Sequence, residues 1–252
     1  MKTAVITGAS SGLGTEFVKA VIKNRKDVEK IIVIARRAER LEALKKTYGD
    51  VIYPLPLDLT AEGFSEKLRE TIEREGFEIT LLINNAGFGK LGNFEDISER
   101  DNALMVRLNC EALNVVTSVC LPFMKEDAEI INTCSIASFA PNIRMATYCS
   151  TKAYVMSLSR ALREELKARK INVLACCPGP METEFLPIAN IKRGSSHTFD
   201  TLPRVNVAEM AEKSLNASKR KKAVYTNRLF FKFYRFVAKL LPHSIVMKMA
   251  KT

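Results

Sequence analysis

The sequence predicts an α/β fold: a doubly wound parallel sheet flanked by helices. Three observations carry this. Short runs of Val, Ile and Leu alternate with helical patterns along the chain. The first apolar run leads directly into a glycine-rich turn and a helix. The unusual polar and glycine motifs fall at the C-terminal ends of the apolar runs, the edge where an open parallel sheet binds ligands. At 252 residues the chain is long enough for one large core, and neither a repeat nor a linker divides it.

Ala4-Val5-Ile6-Thr7 is the first predicted strand, buried and short. Gly8, Ser10, Ser11, Gly12, Leu13 and Gly14 make the turn, and Phe17, Val18, Val21 and Ile22 mark the helix after it. Strand, glycine turn and helix together form an anion site. The glycines admit a close backbone approach, and the helix start points N–H groups at a phosphate. The spacing Thr7-Gly8-x-x-x-Gly12-x-Gly14 differs from the older Gly-x-Gly-x-x-Gly fingerprint, and a plain tight turn is the competing reading.

Residues 30–35 are the second strand, with Arg36 and Arg37 at its end. An acidic residue there accepts from a ribose 2′-hydroxyl and selects NAD, whereas arginine accommodates a 2′-phosphate. No Asp or Glu stands at 33–37, which favours NADP(H) over NAD(H). Leu41, Leu44 and Tyr48 mark a helix. The strand at 51–57 carries Pro54 and Pro56, so it belongs at or near a sheet edge. Asp58 follows, placed to accept from an adenine amino group, with Leu59 beside it.

Phe64, Leu68 and Ile72 mark the next helix, and residues 80–83 the fourth strand, closed by Asn84-Asn85-Ala86-Gly87. This motif reads equally as close contact with a cofactor and as asparagines tying strands together. A long helix is expected over 98–123, with Asn109 in its middle, where asparagine is unfavourable without a local or functional reason. Strand 129–133 leads to Ser135, with Ser138 nearby.

Tyr148 and Lys152 then stand four apart on a helix marked by Val155, Leu158, Leu162 and Leu166, so they share a face. A phenol titrates near pH ~10 in water, and a neighbouring ammonium favours its ionised form. The pair suits a general acid for a substrate oxygen. Strand 171–177 ends in Pro178-Gly179-Pro180, followed by Met181 and Thr183, and residues 223–226 are the last strand.

The composition, 47% hydrophobic and 27% charged, is that of an ordinary soluble globular protein. No apolar run reads as a membrane span, and no signal peptide precedes the first strand, so a cytoplasmic location is expected. The six cysteines show no metal-like pairing and read as reduced thiols; no metal site is expected. The net charge is 39 − 28 = +11. From residue 213 onward there are 11 Lys/Arg and no Asp/Glu, so the whole basic excess lies in the tail.

Taken together, these motifs resemble the short-chain dehydrogenase/reductase family in its compact single-domain branch, over about residues 3–227. The resemblance implies a Rossmann-like domain over 1–227 and a C-terminal extension over 228–252. It implies catalysis by Asn109, Ser135, Tyr148 and Lys152. Tyr148 exchanges a proton with the substrate oxygen, Ser135 (preferred to Ser138) binds that oxygen, Lys152 lowers the tyrosine pKa and holds the nicotinamide ribose, and Asn109 holds a water. The cofactor would lie along Gly8, Ser10, Ser11, Gly12, Leu13 and Gly14, and along Arg36, Arg37, Asp58 and Leu59. Asn85, Ala86 and Gly87 would meet its riboses, and Pro178, Gly179, Met181 and Thr183 its nicotinamide end. A homodimer or homotetramer through the two long helices is also implied.

The expected activity is an NADP(H)-dependent interconversion of a ketone and a secondary alcohol on an apolar substrate, steroid-like or long acyl. A 3-oxoacyl thioester or carrier-protein reductase is the alternative. A non-catalytic nucleotide-binding sensor or membrane-associated scaffold is the alternative of another class. Residues 184–206 are the expected substrate loop, and its Ser195-Ser196-His197 cluster reads as loop, not catalyst. In the tail, Arg228, Lys232, Arg235 and Lys239 form a basic stripe beside Leu229, Phe230, Phe233, Phe236, Val237, Leu240 and Leu241, and Pro242 ends the helix. Packing on its own domain or dimer mate, a lid, and peripheral binding to a membrane surface all remain open for this tail. A nucleic-acid partner is not expected.

Overall fold

The computed structural model describes residues 1–192, 194 and 196–249, the side chains of 197, 198 and 249 excepted. Its sheet is made of β1 (Lys2–Thr7), β2 (Lys30–Ala35), β3 (Ile52–Pro56), β4 (Glu78–Asn84), β5 (Met124–Thr133), β6 (Asn172–Cys176) and β7 (Val224–Tyr225). The order is β3-β2-β1-β4-β5-β6-β7, and every neighbouring pair is parallel. The doubly wound sheet is therefore as expected, and the proline-bearing β3 is an edge strand.

Both faces of the sheet are buried, which is why its strands read as nearly continuous apolar runs. Alternate residues serve opposite layers. Ile6, Ile31, Val33 and Leu81 join one core; Val5, Ile32, Ile34 and Leu82 join the other. The first layer is built with α1 (Gly12–Asn24) and α2 (Ala38–Tyr48), the second with α3 (Phe64–Arg74) and the long helix between β4 and β5.

That long helix runs as α4 (Glu99–Val106), a π-turn at Arg107–Glu111, and α5 (Ala112–Cys120). By length and apolar composition residues 99–123 are sufficient to cross a bilayer, contrary to the sequence expectation. Half of the apolar window is buried, and α5 supplies Ala112, Val116, Val119 and Cys120 to the second core, so its hydrophobicity serves packing. The helix α6 (Ala146–Glu165) follows β5.

After β6 the chain forms the short helices α7 (Phe185–Ile188) and α8 (His197–Thr201) inside the expected loop. Ser195 and the His197 side chain lie outside the described residues. The sequence reading missed α9 (Val207–Lys219), which buries Met210, Ala211 and Leu215 in the first core. Its signal was available: Asn206 accepts from the Glu209 backbone N–H at 2.9 Å, an N-cap followed three residues later by glutamate. Finally α10 (Leu229–Leu240) and α11 (His243–Met249) flank Pro242, as its ring dictates.

Candidate active site

The C-terminal ends of the strands open onto a cavity of about 840 Å³. It begins at the Gly8–Leu13 turn. Gly8 and Gly12 take φ of +66° and +54°, where a side chain is strained. Gly14 does not line the cavity; a Cβ there would sit 2.0 Å from the Gly8 carbonyl oxygen, so this glycine lets α1 lie against the turn. Arg36, Arg37, Asp58 and Leu59 line the cavity beyond the turn, and Arg36 helps hold the Asp58 carboxyl low, after the hydrogen bonds from Thr60 and against burial.

Asn84 and Asn85 divide the two roles considered for them. Asn84 is buried and joins β4 to β5 through Asn132 at 2.9 Å. Asn85 lines the cavity with Ala86 and Gly87, while its amide donates to the carbonyls of Thr7 and Gly8. The Thr7 hydroxyl accepts from the backbone N–H groups of Asn85 and Ala86 at 2.9 and 3.0 Å, locking β1 to β4 at the point where the chain reverses its winding.

Ser135, Tyr148 and Lys152 meet at the inner end of the cavity, near Pro178, Gly179, Met181 and Thr183. The Lys152 ammonium lies 5.8 Å from the Tyr148 ring centre and donates to the Thr133 carbonyl at 2.8 Å. Ser135 is hydrogen-bonded to Tyr148. Ser138 instead donates to the Ser135 carbonyl at 2.6 Å, so its hydroxyl is occupied and Ser135 faces the site. Asn109 sits in the π-turn, one layer behind the cavity. It accepts from the Phe88 N–H at 3.0 Å and donates to the Phe88 carbonyl at 2.8 Å and the Thr151 hydroxyl at 3.1 Å. An inserted π-turn aims this one polar side chain out of the apolar helix.

The electrostatics depart from the expected lowering of the tyrosine by the lysine. Burial pushes the Tyr148 hydroxyl up, and the Ser135 hydrogen bond is the influence that draws it down. Burial likewise lowers the Lys152 ammonium, while nearby cysteines favour its charge. Both groups are buried, and desolvation is the largest influence on each. All six cysteines are free thiols, and no metal-holding cluster occurs among the described residues.

Several contacts were invisible in the linear pattern. A Cβ on Gly89 would lie 2.7 Å from the Tyr148 ring, so this glycine seats the tyrosine. Phe185 packs on the same ring at 5.6 Å. Phe231 of α10 is fully buried and occupies the space a Cβ on Gly179 would need, at 2.3 Å. The tail helix is thus a wall of the cavity.

Fold and site define a nicotinamide-dinucleotide oxidoreductase acting on CH–OH groups. A family model described as short chain dehydrogenase matches residues 2–193, and the chain belongs to that family. It is 34% identical over 187 residues to a serine 3-dehydrogenase of Agrobacterium fabrum, covering 73% of each chain. It is 30% identical over 241 residues to an NADP-dependent 3-hydroxy acid dehydrogenase of Schizosaccharomyces pombe, covering 91% of this chain and 92% of that one. Among solved structures, a short-chain dehydrogenase from Sphingobium yanoikuyae in complex with NADPH superimposes with a TM-score of 0.77 at 27% identity, covering 96% of this chain and 97% of that one.

Proposed function

We propose that the protein interconverts an apolar ketone and its secondary alcohol with NADP(H). The observation that carries this reading is one cavity that joins the Ser135, Tyr148 and Lys152 cluster to an apolar wall of Phe185, Leu186, Phe230, Phe231, Tyr234 and Val246. The glycine turn, where side chains would block close approach, fits a pyrophosphate, and Arg37 beyond it fits a 2′-phosphate. Bound there, the nicotinamide supplies or accepts the hydride.

Tyr148 gives its proton to the carbonyl oxygen during reduction and takes one back during oxidation. Ser135 donates to the same oxygen as charge develops on it. Lys152 holds the nicotinamide ribose, and Ser135 is the group that eases loss of the Tyr148 proton. Asn109 fixes the Gly87–Phe88 segment against which the ammonium is set. The names of the curated relatives favour a second substrate class, a 3-hydroxy acid. Besides Arg36, Arg37 and Lys152, which this reading assigns to the cofactor and the proton transfer, Lys90 lines the cavity, but it is paired with Asp101 at 3.6 Å, which leaves the apolar wall as the stronger guide. Turnover of steroid, long-acyl and small ketones is compared with that of 3-oxo acids, using NADPH and NADH in parallel. The apolar ketones are expected to lead with NADPH; faster turnover of short 3-oxo acids would overturn this substrate class.

The cofactor preference has its own test. Arg37→Ala is expected to weaken NADPH binding by about tenfold, the loss of one charge-assisted hydrogen bond, and to leave NADH nearly unchanged. Equal weakening of both cofactors in a titration of nicotinamide fluorescence would remove the 2′-phosphate from Arg37.

The tail reading extends to location. Leu229, Phe233, Phe236 and Leu240 share the outer face of α10 and are 81%, 66%, 59% and 65% exposed. Lys232 and Lys239 flank them, and no acidic residue follows position 212. An aromatic, basic-flanked helix on the protein surface suits an anionic bilayer interface. Sedimentation with phosphatidylserine vesicles is expected to carry down the native protein, and the Phe233→Ser/Phe236→Ser variant to stay largely in solution. Equal sedimentation of the two would end this reading. We also propose a homodimer or homotetramer through α4–α5 and α6, whose exposed faces carry Val106 and Tyr154.

A further inference from the structure

A carboxylate stands in the place where the cofactor's 2′-phosphate is expected. Arg37 Nη2 donates to Glu184 Oε2 at 2.9 Å and to the Ser10 hydroxyl at 3.1 Å. Arg40 Nη1 donates to Glu184 Oε1 at 2.6 Å and to the Ser10 carbonyl at 3.3 Å. The hydroxyl of Ser11 also reaches Glu184. Two guanidinium groups and a hydroxyl therefore close around one pair of anionic oxygens, the donor set that recognises a phosphate.

The arrangement is assembled from distant parts of the chain. Arg37 and Arg40 lie at the end of β2 and the start of α2, whereas Glu184 leads into α7 from the loop after β6. Arg40, then Arg37, hold the Glu184 carboxyl at about 2, so it remains an anion at any working pH. The three side chains are all about two-fifths exposed, at 39–41%. A network this open to water is held weakly enough for a second anion to displace it.

We propose that Glu184 is a cofactor-specificity residue: its carboxylate competes with the 2′-phosphate for Arg37 and Arg40, and so limits the preference for the phosphorylated cofactor. The proposal rests on the NADP(H) reading above, which assigns that phosphate to Arg37. A cofactor without the phosphate leaves the Glu184 contacts in place; one with it must first part them. Selectivity is then set by a residue far along the chain from the strand end where an acidic selector normally stands, brought to that end by the fold.

Calorimetric titration of the full-length protein, Glu184→Gln and Arg37→Ala/Arg40→Ala with four probes tests this. The probes are NADPH, NADH, 2′,5′-ADP and 5′-AMP; the last two carry the adenosine end alone. Glu184→Gln is expected to bind NADPH and 2′,5′-ADP about fivefold more tightly, the equivalent of one exposed ion pair, with NADH and 5′-AMP unchanged. The double arginine variant is expected to weaken only the two phosphorylated probes. If the arginine variant does so but Glu184→Gln changes nothing, or shifts all four probes alike, competition is refuted and the NADP(H) reading stands. If the arginine variant leaves all four unchanged, the NADP(H) reading falls and this proposal with it.

Discussion

Replacing Tyr148 with phenylalanine is expected to lower turnover by about 10²–10⁴-fold, the usual contribution of a positioned general acid. The substitution removes one oxygen and retains the ring that packs against Phe185 and over Gly89. Cofactor affinity and melting temperature should therefore stay close to those of the native protein, so that the loss is one of chemistry. The pH dependence has a definite sign. Burial raises the phenol, so the protonated form that reduction needs persists through neutral pH. The reduction rate holds on the acid side and falls as pH rises through the phenol's titration; oxidation gains over the same range. Both limbs should vanish in Tyr148→Phe. Turnover above about a tenth of native in the purified variant would remove Tyr148 from the proton transfer.

Gly14→Ala is expected to have the largest effect on stability. The added methyl would stand 2.0 Å from the Gly8 carbonyl oxygen, 2.7 Å from its carbon and 2.8 Å from the Asn85 amide. The obstructing atoms are mainly the Gly8 backbone, whose carbonyl accepts from the Asn85 amide at 3.3 Å. The helix α1 must move instead, loosening Phe17, Val18 and Val21 from the first core. Overpacking of this kind costs about 3 kcal/mol or more, a fall of roughly 6–12 °C in melting temperature for a chain of this size. Gly76→Ala is the comparison. Its φ of +62° brings backbone strain, but no atom lies within 4 Å of the new methyl, so about 1–2 kcal/mol is expected. A Gly14→Ala protein that melts no lower than Gly76→Ala would show that α1 can shift freely.

Much of the fold is legible in the chain because its signals are local. β1, β2, β4 and β6 are buried on both faces, so each leaves an unbroken apolar run. Pro54 and Pro56 assign β3 to an edge by removing ladder donors. Helical spacing puts Tyr148 and Lys152 on one face, and Ser135 meets them because β5 ends and α6 begins at the same rim. Asn109 is conspicuous as a polar residue in an apolar helix, although the π-turn that aims it is not. By contrast α9 was missed because its buried face includes Ser214 and Ser218, which dilute the apolar pattern.

The sequence by itself determined the doubly wound sheet and the glycine-rich turn, and the candidate catalytic set was legible in it through the family resemblance. Only the tertiary structure decided that Glu184 fills the arginine fork, that Gly89 and Phe185 seat Tyr148, and that Phe231 packs on Gly179 to make the tail a cavity wall. It also decided the sign of the Tyr148 shift, because desolvation depends on every neighbour at once. The physical division is one of range. Periodicity, turn chemistry and strand ends act over a few residues and leave a pattern in the chain. Burial and contacts between residues tens to more than a hundred positions apart arise only when the sheet brings its loops to one edge.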